Sequence, residues 1–246
     1  MKENKILIID CGSQYTQLIA RRVRELGVYS EILFWDAPAE KMAQTNPAGI
    51  IISGGPRSVL DSDAPSIPMS VINSGVPVLG ICYGMQLLAH QFGGRVCKGD
   101  AAEYGRAKVT VENCKLFSEI HDCNSIDVWM SHWDQVTGLP EGFKATAHSE
   151  NGALAAFESA DGKISALQFH PEVVHTPKGT EILSSFLFGI CGCSHDWTLG
   201  HEWIDHEIEK IKAKVGTGKV ICGLSGGVDS TVSAVITSKA VGDRLH

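Results

Sequence analysis

In Gly80-Ile81-Cys82-Tyr83-Gly84-Met85-Gln86 a cysteine stands between two glycines, each two positions away. An apolar run, Val76-Pro77-Val78-Leu79, precedes it, and a helix-like stretch, Leu87-Leu88-Ala89-His90-Gln91-Phe92, follows. A buried strand turning sharply into a helix with a nucleophile at the corner is the elbow arrangement. The sulfur then sits at a strand's carboxyl end and at a helix N-terminus, where the dipole and free N–H groups favour thiolate. The same letters also fit a buried cysteine in a tight βα turn.

A cysteine nucleophile needs a base that something else orients. Gln168-Phe169-His170-Pro171-Glu172 follows the apolar run 164–167. In extended chain, residues two apart point the same way, and Pro171 biases His170 toward extended geometry. A carboxylate beside an imidazole fixes one tautomer and favours the protonated ring. His170 is one of ten histidines, and a surface loop would give the same pattern. His132, in Met130-Ser131-His132-Trp133-Asp134, is a rival base with Asp134 two positions on. Ser53-Gly54-Gly55-Pro56 ends another apolar run, so its backbone N–H groups are approachable. The N–H groups of Gly55 and Tyr83 would together make an oxyanion hole. A purely structural turn is the alternative, since Gly-Gly-Pro is strong turn punctuation.

Near the end, Ser225-Gly226-Gly227-Val228-Asp229-Ser230, followed by Thr231, links a strand-like run, 219–224, to a helix-like one, 231–240. Successive N–H groups at such a turn form an anion nest backed by the helix dipole. No lysine follows the glycines as it does in the G-x-x-x-x-G-K-[ST] loop. A glycine-rich turn with Asp229 or Ser230 as a helix cap is the plainer reading.

The elements that must hold these residues alternate. Apolar runs at 6–9, 28–34, 49–52 and 76–79 read as buried parallel strands with helices between them. Ser13 is placed to cap the first helix and Gly27 to close it. After Gly94, strand candidates at 106–111, 126–130, 142–147, 153–157 and 164–169 follow without long helices, which predicts an antiparallel extension. A covering helix is predicted at 180–188. Another spans Trp203, Ile204, Ile208, Ile211 and Val215. The fold class is α/β, with a mostly parallel sheet, an antiparallel extension, and the first βα unit of a second α/β domain. The expected division is 1–195 and 196–246, with the remainder of the second domain lying outside the sequence.

Composition narrows the class. Of 246 residues, 43% are hydrophobic and the net charge is −7, which argues against general nucleic-acid binding. No apolar run approaches a membrane span and no signal peptide is evident, so the expected location is cytoplasmic. The eight cysteines are then expected as free thiols. Cys191-Gly192-Cys193 lacks the second pair that a zinc site needs, and no metal ligands are assigned.

The three signatures around Cys82, Ser53-Gly54-Gly55-Pro56 and His170 together resemble those of class I (triad) glutamine amidotransferases, which have a flavodoxin-like core. The resemblance covers roughly residues 5–190. It implies a Cys82, His170, Glu172 triad and oxyanion donors at Gly55 and Tyr83. It also implies that Gln86, Ser131 and His132 hold the glutamine substrate. The loop at 225–231 resembles the pyrophosphate loop of N-type ATP pyrophosphatases. The tandem, together with Glu103-Tyr104-Gly105 and the helix from Trp203 to Val215, is similar to glutamine-hydrolysing synthetases that aminate XMP to GMP. Those imply ATP and Mg2+ for the complete enzyme, no cofactor for the glutaminase step, and a homodimer. One departure stands out: the family usually has Gly-Asp after Ser-His, whereas this chain has Trp133-Asp134. A glutaminase serving another ATP pyrophosphatase such as an NAD synthetase, an inactive binding module, and a peptidase-like hydrolase are the alternatives.

Overall fold

The computed structural model describes residues 3–120, 124–198 and 200–246, without the side chains of residues 3, 100–102 and 201–203. Cys123 lies outside the described residues. The chain forms two compact units, Met1–Asp196 and Trp197–His246.

The first unit begins with β1 (Glu3–Asp10), α1 (Thr16–Glu25), β2 (Tyr29–Phe34), α2 (Ala39–Gln44), β3 (Pro47–Ile52), α3 (Met69–Ile72), β4 (Val78–Ile81) and α4 (Tyr83–Gln91). It continues with β5 (Arg95–Val111), β6 (Ser125–Gly138), β7 (Phe143–Ser149), β8 (Leu154–Ser159), β9 (Ile164–Leu167) and α5 (Gly179–Ser184). Among the described residues these strands form one sheet in the order β2-β1-β3-β4-β9-β8-β7-β5-β6. From β2 to β9 the neighbours are parallel. From β9 to β6 they are antiparallel. The four-residue apolar runs are continuous because both sheet faces are covered: Ile6, Leu7, Ile8 and Ile9 are all buried.

The antiparallel part is longer than the apolar letters suggest. The candidate at 106–111 is the end of a 17-residue strand, β5, whose polar half pairs with β6. β6 alternates, with Ile126, Val128 and Met130 buried on one side, the pattern of a strand with one face on the core. α2 has no strong periodic signal; it starts after Pro38, whose fixed φ suits a helix entry. Ser13 does not cap α1. Tyr15 is the N-cap residue, and Ser13 Oγ accepts the Tyr15 N–H at 3.0 Å. Gly27 follows the α1 C-cap at φ 79°, as a closing glycine does. The helix expected at 180–188 is α5 continued by a π-helical stretch, Ser185–Ile190.

The second unit holds α6 (His201–Val215) and α7 (Val228–Val241), packed through Ile208, Ala240 and Val241. The buried strand expected at 219–224 is not formed. Val220 makes one isolated parallel bridge to Leu245, and Ile221 is 88% exposed. A buried strand needs neighbours on both edges and cover on both faces, and among the described residues only the 244–246 segment pairs with it.

Candidate active site

Cys82 sits at the β4–α4 junction with φ 54° and ψ −105°, a region that L-residues rarely occupy. The corner is tight enough to explain its glycines. A Cβ on Gly80 would stand 2.6 Å from the Gly84 carbonyl oxygen, and one on Gly84 would stand 2.5 Å from that of Ile52. The Cys82 N–H is fixed by the Leu167 carbonyl at 2.7 Å, which ties the elbow to β9. The Cys82 thiol faces the Ser131 carbonyl oxygen at 3.6 Å.

β9 delivers the partner. Its continuation carries His170, whose imidazole and the Cys82 side chain both lie against Gly54. His170 Nδ1 lies 2.7 Å from Glu172 Oε1, and Glu172 is fully buried. Burial pushes the imidazole pKa down, but the hydrogen bonds and charges of Cys82 and Glu172 outweigh it and raise it from 6.5 to about 10. The ring and the backbone that carries it are held from several sides. The main-chain N–H of His170 donates to the Trp129 carbonyl at 3.1 Å, and Thr176 Oγ1 donates to the main-chain carbonyl of His170 at 2.7 Å. The Tyr15 ring meets the imidazole edge-on at 5.2 Å. Arg22 Nε donates to the Glu172 carbonyl at 3.1 Å.

Cys82 opens into a cavity of about 570 Å³, which Gly55, Tyr83, Gln86, Ser131 and His132 also line. Gly54 lies between nucleophile and base: a Cβ there would be 3.3 Å from His170 Cε1 and 3.6 Å from Cys82 Cβ. Gln86 Nε2 donates to the Asp134 carbonyl at 2.8 Å. His132 is turned away from the sulfur. Its Nδ1 faces the Asp134 carbonyl and its Nε2 faces Glu103 Oε2, both at 3.1 Å. Of the two histidines left open by the sequence, His132 has both ring nitrogens engaged by Asp134 and Glu103, whereas His170 shares the contact with Gly54 that Cys82 makes.

The family model for glutamine amidotransferase class-I matches residues 7–190. The chain belongs to the class-I glutamine amidotransferase family. The NAD synthase model matches residues 201–246. The chain is 50% identical over 246 residues to a GMP synthase (glutamine-hydrolyzing) of Aquifex aeolicus, covering 100% of this chain and 48% of that one. It is 53% identical over 243 residues to the protein of that name from Rhodopseudomonas palustris, covering 98% and 45%. The chain therefore spans about half the length of the curated relatives it matches. A crystal structure from Thermoplasma acidophilum, assigned to one subunit of a GMP synthase, aligns with TM-score 0.66 at 32% identity, covering 84% of this chain and 97% of that one. A glutamine amidotransferase of Thermotoga maritima aligns at TM-score 0.56 and 21% identity, covering 85% of each, a likeness of fold alone.

Two residues of this class-I amidotransferase site, Tyr15 and Thr176, carried no signal of their own in the sequence, and a third, Gln168, was visible only as a letter of the stretch around His170. Tyr15 follows β1, so only the rule that sites gather at strand carboxyl ends points to it. Thr176 receives the Trp129 N–H at 3.0 Å while donating to the His170 carbonyl, linking its loop to β6, 47 residues away. Gln168 Nε2 stands 3.9 Å from the Cys82 sulfur. Trp133, where the family usually has glycine, is 46% exposed at the cavity rim. Lys98 Nζ lies 5.3 Å from its ring centroid.

In the second unit, residues 225–227 lead into α7, with Gly227 as N-cap and Gly226 at φ 82°. Ser230 Oγ and Thr231 Oγ1 both donate to the Gly227 carbonyl, at 3.0 and 2.9 Å. Among the described residues, no helix is long and apolar enough to cross a membrane.

Proposed function

We propose that this chain hydrolyses the side-chain amide of glutamine and that the ammonia serves ATP-dependent amination of XMP to GMP. The observation that carries the first half is the buried chain from Cys82 to His170 to Glu172 at the edge of a cavity. The Cys82 thiolate attacks the amide carbon, and the N–H groups of Gly55 and Tyr83 receive the oxyanion. His170 gives its proton to the departing ammonia, leaving a γ-glutamyl thioester. It then takes a proton from water, whose oxygen displaces the sulfur as thiolate and releases glutamate. Gln86, Ser131 and His132 line the substrate's end of the cavity.

The second half rests on the relatives' names and on the loop at 225–231. The loop is exposed and the backbone turns through a left-handed glycine into a 14-residue helix, a shape that fits phosphate oxygens. Ser225, Gly226, Gly227, Val228, Asp229, Ser230 and Thr231 would hold ATP there. Mg2+ would neutralise the phosphates, with Asp229 the carboxylate this segment offers. The homodimer and cytoplasmic location belong to the same proposal. Glutamate release from glutamine by the purified chain is the test. Hydrolysis that disappears in Cys82→Ala is expected, and hydrolysis that persists there would overturn the assignment.

A further inference from the structure

β6 directs Ile126, Val128 and Met130 into the core, and His132 continues that inward row at 5% exposure. A polar ring at a core position must have its hydrogen bonds met inside the protein. Both ring nitrogens of His132 face acceptors. Nδ1 meets the Asp134 carbonyl and Nε2 meets Glu103 Oε2, each at 3.1 Å. A neutral imidazole carries one N–H and satisfies only one of them. The second contact therefore needs a proton on both nitrogens or on the Glu103 carboxyl.

Glu103 is the direct cross-strand partner of His132 on β5. Its other oxygen receives Asn151 Nδ2, from the turn between β7 and β8, at 3.3 Å. The carboxylate thus ties β5 and the β7–β8 turn to the ring on β6. That ring fixes the Asp134 carbonyl, which also takes the Gln86 amide at 2.8 Å. Three residues back, the Ser131 carbonyl faces the Cys82 sulfur. Residues 131–134 of β6 line the same cavity as Cys82.

We propose that Glu103 is a positioning residue that acts through His132 to set the 131–134 wall against which the substrate is held. Burial, the largest influence, and the imidazolium of His170 hold His132 below the usual imidazole range, outweighing the opposing pull of Glu103 and the Asp134 carbonyl. Without Glu103 the inward ring loses the carboxylate contact at Nε2 and keeps the carbonyl contact at Nδ1. The inference rests on the glutamine reading above.

The test compares Glu103→Ala, Glu103→Gln and Asn151→Ala in the purified chain. Three readouts are used: the KM and kcat of glutamine hydrolysis, alkylation of Cys82 by iodoacetamide, and Cys82 capture by a glutamine-shaped diazoketone. Glu103→Ala is expected to raise KM and slow the diazoketone by about 10-fold, the size of one lost hydrogen bond to a charged group. Its kcat and iodoacetamide rate should stay within about 2-fold, since the elbow and His170 are untouched. In Glu103→Gln the amide can donate to Nε2, so KM should return to within about 3-fold of wild type. Asn151→Ala should move KM in the same direction by less. Far-UV circular dichroism establishes that each variant is folded. If Glu103→Ala does not fold, the comparison of Asn151→Ala with wild type decides. Unchanged KM and diazoketone rate in a folded Glu103→Ala, or in Asn151→Ala when that variant decides, would overturn the inference. So would a Glu103→Gln as impaired as Glu103→Ala. Wild-type chain that neither hydrolyses glutamine nor reacts with the diazoketone would overturn the glutamine reading instead.

Discussion

Replacing Glu172 by glutamine keeps the shape of the site and removes one charge. Glu172 is fully buried and meets His170 Nδ1 at 2.7 Å, so its charge is little screened. Breaking such a buried, charge-assisted pair costs about 3–5 kcal/mol when the partner's charge is left uncompensated. If that loss falls on the transition state, about 1.4 kcal/mol per decade makes it a 10²–10⁴-fold drop in kcat/KM. The glutamine amide can also donate to Nδ1, which selects the wrong tautomer for a ring that must address Cys82 through Nε2. The pH dependence has a definite sign. In the wild type the imidazole pKa is raised from 6.5 to about 10, so the proton needed by departing ammonia persists across neutral pH and is lost only as pH passes through about 10. Glu172→Gln removes one of the influences that raise it, so the alkaline limb of the activity profile moves to lower pH. The assay is glutamate release across the pH range, with circular dichroism to confirm folding. A variant within about 5-fold of wild type, with its alkaline limb unmoved, would refute the orienting role that a buried pair of this strength implies.

Other substitutions probe neighbouring constraints. Gly54→Ala puts a methyl 3.3 Å from His170 Cε1 and 3.6 Å from Cys82 Cβ. It should lower kcat/KM by about 10–100-fold through misplacement of the ring, with a small change in Tm; unchanged kinetics would refute the contact. Gly84→Ala drives a methyl to 2.5 Å from the Ile52 carbonyl oxygen. Backbone meets backbone there, so unfolding in urea should show a loss of about 1–3 kcal/mol. Gly226→Val forces a branched residue to φ 82°. The strain of about 1–2 kcal/mol should weaken ATP binding by roughly 10-fold in calorimetry, and equal affinity would argue against the loop as the phosphate site.

How much of this was legible beforehand follows the range of each interaction. The βα alternation, the elbow and the His170-Pro171-Glu172 segment are local patterns, governed by backbone sterics and by side-chain period within a few residues. The parallel strands were legible for a related reason: burial on both faces demands uninterrupted apolar residues, and Ile6–Ile9 supply them. The polar half of β5 was not legible, because its strand conformation comes from pairing with β6 rather than from its own letters. The apolar letters of Lys219–Leu224 misled for the converse reason. They fit a buried strand, but among the described residues a single bridge to Leu245 supplies one edge, and although Val220 packs against the helices, Ile221 is 88% exposed.

The sequence by itself determined that a cysteine stands at a glycine-flanked corner and that a histidine and a glutamate two residues apart can share one proton path. Only the tertiary structure decided which histidine reaches the sulfur. Strand order brings β9 beside β4 and so joins His170 to Cys82, while antiparallel pairing turns His132 toward Glu103. Backbone geometry is settled over a few bonds, whereas the distance between two side chains remote in sequence is settled by which strands lie side by side.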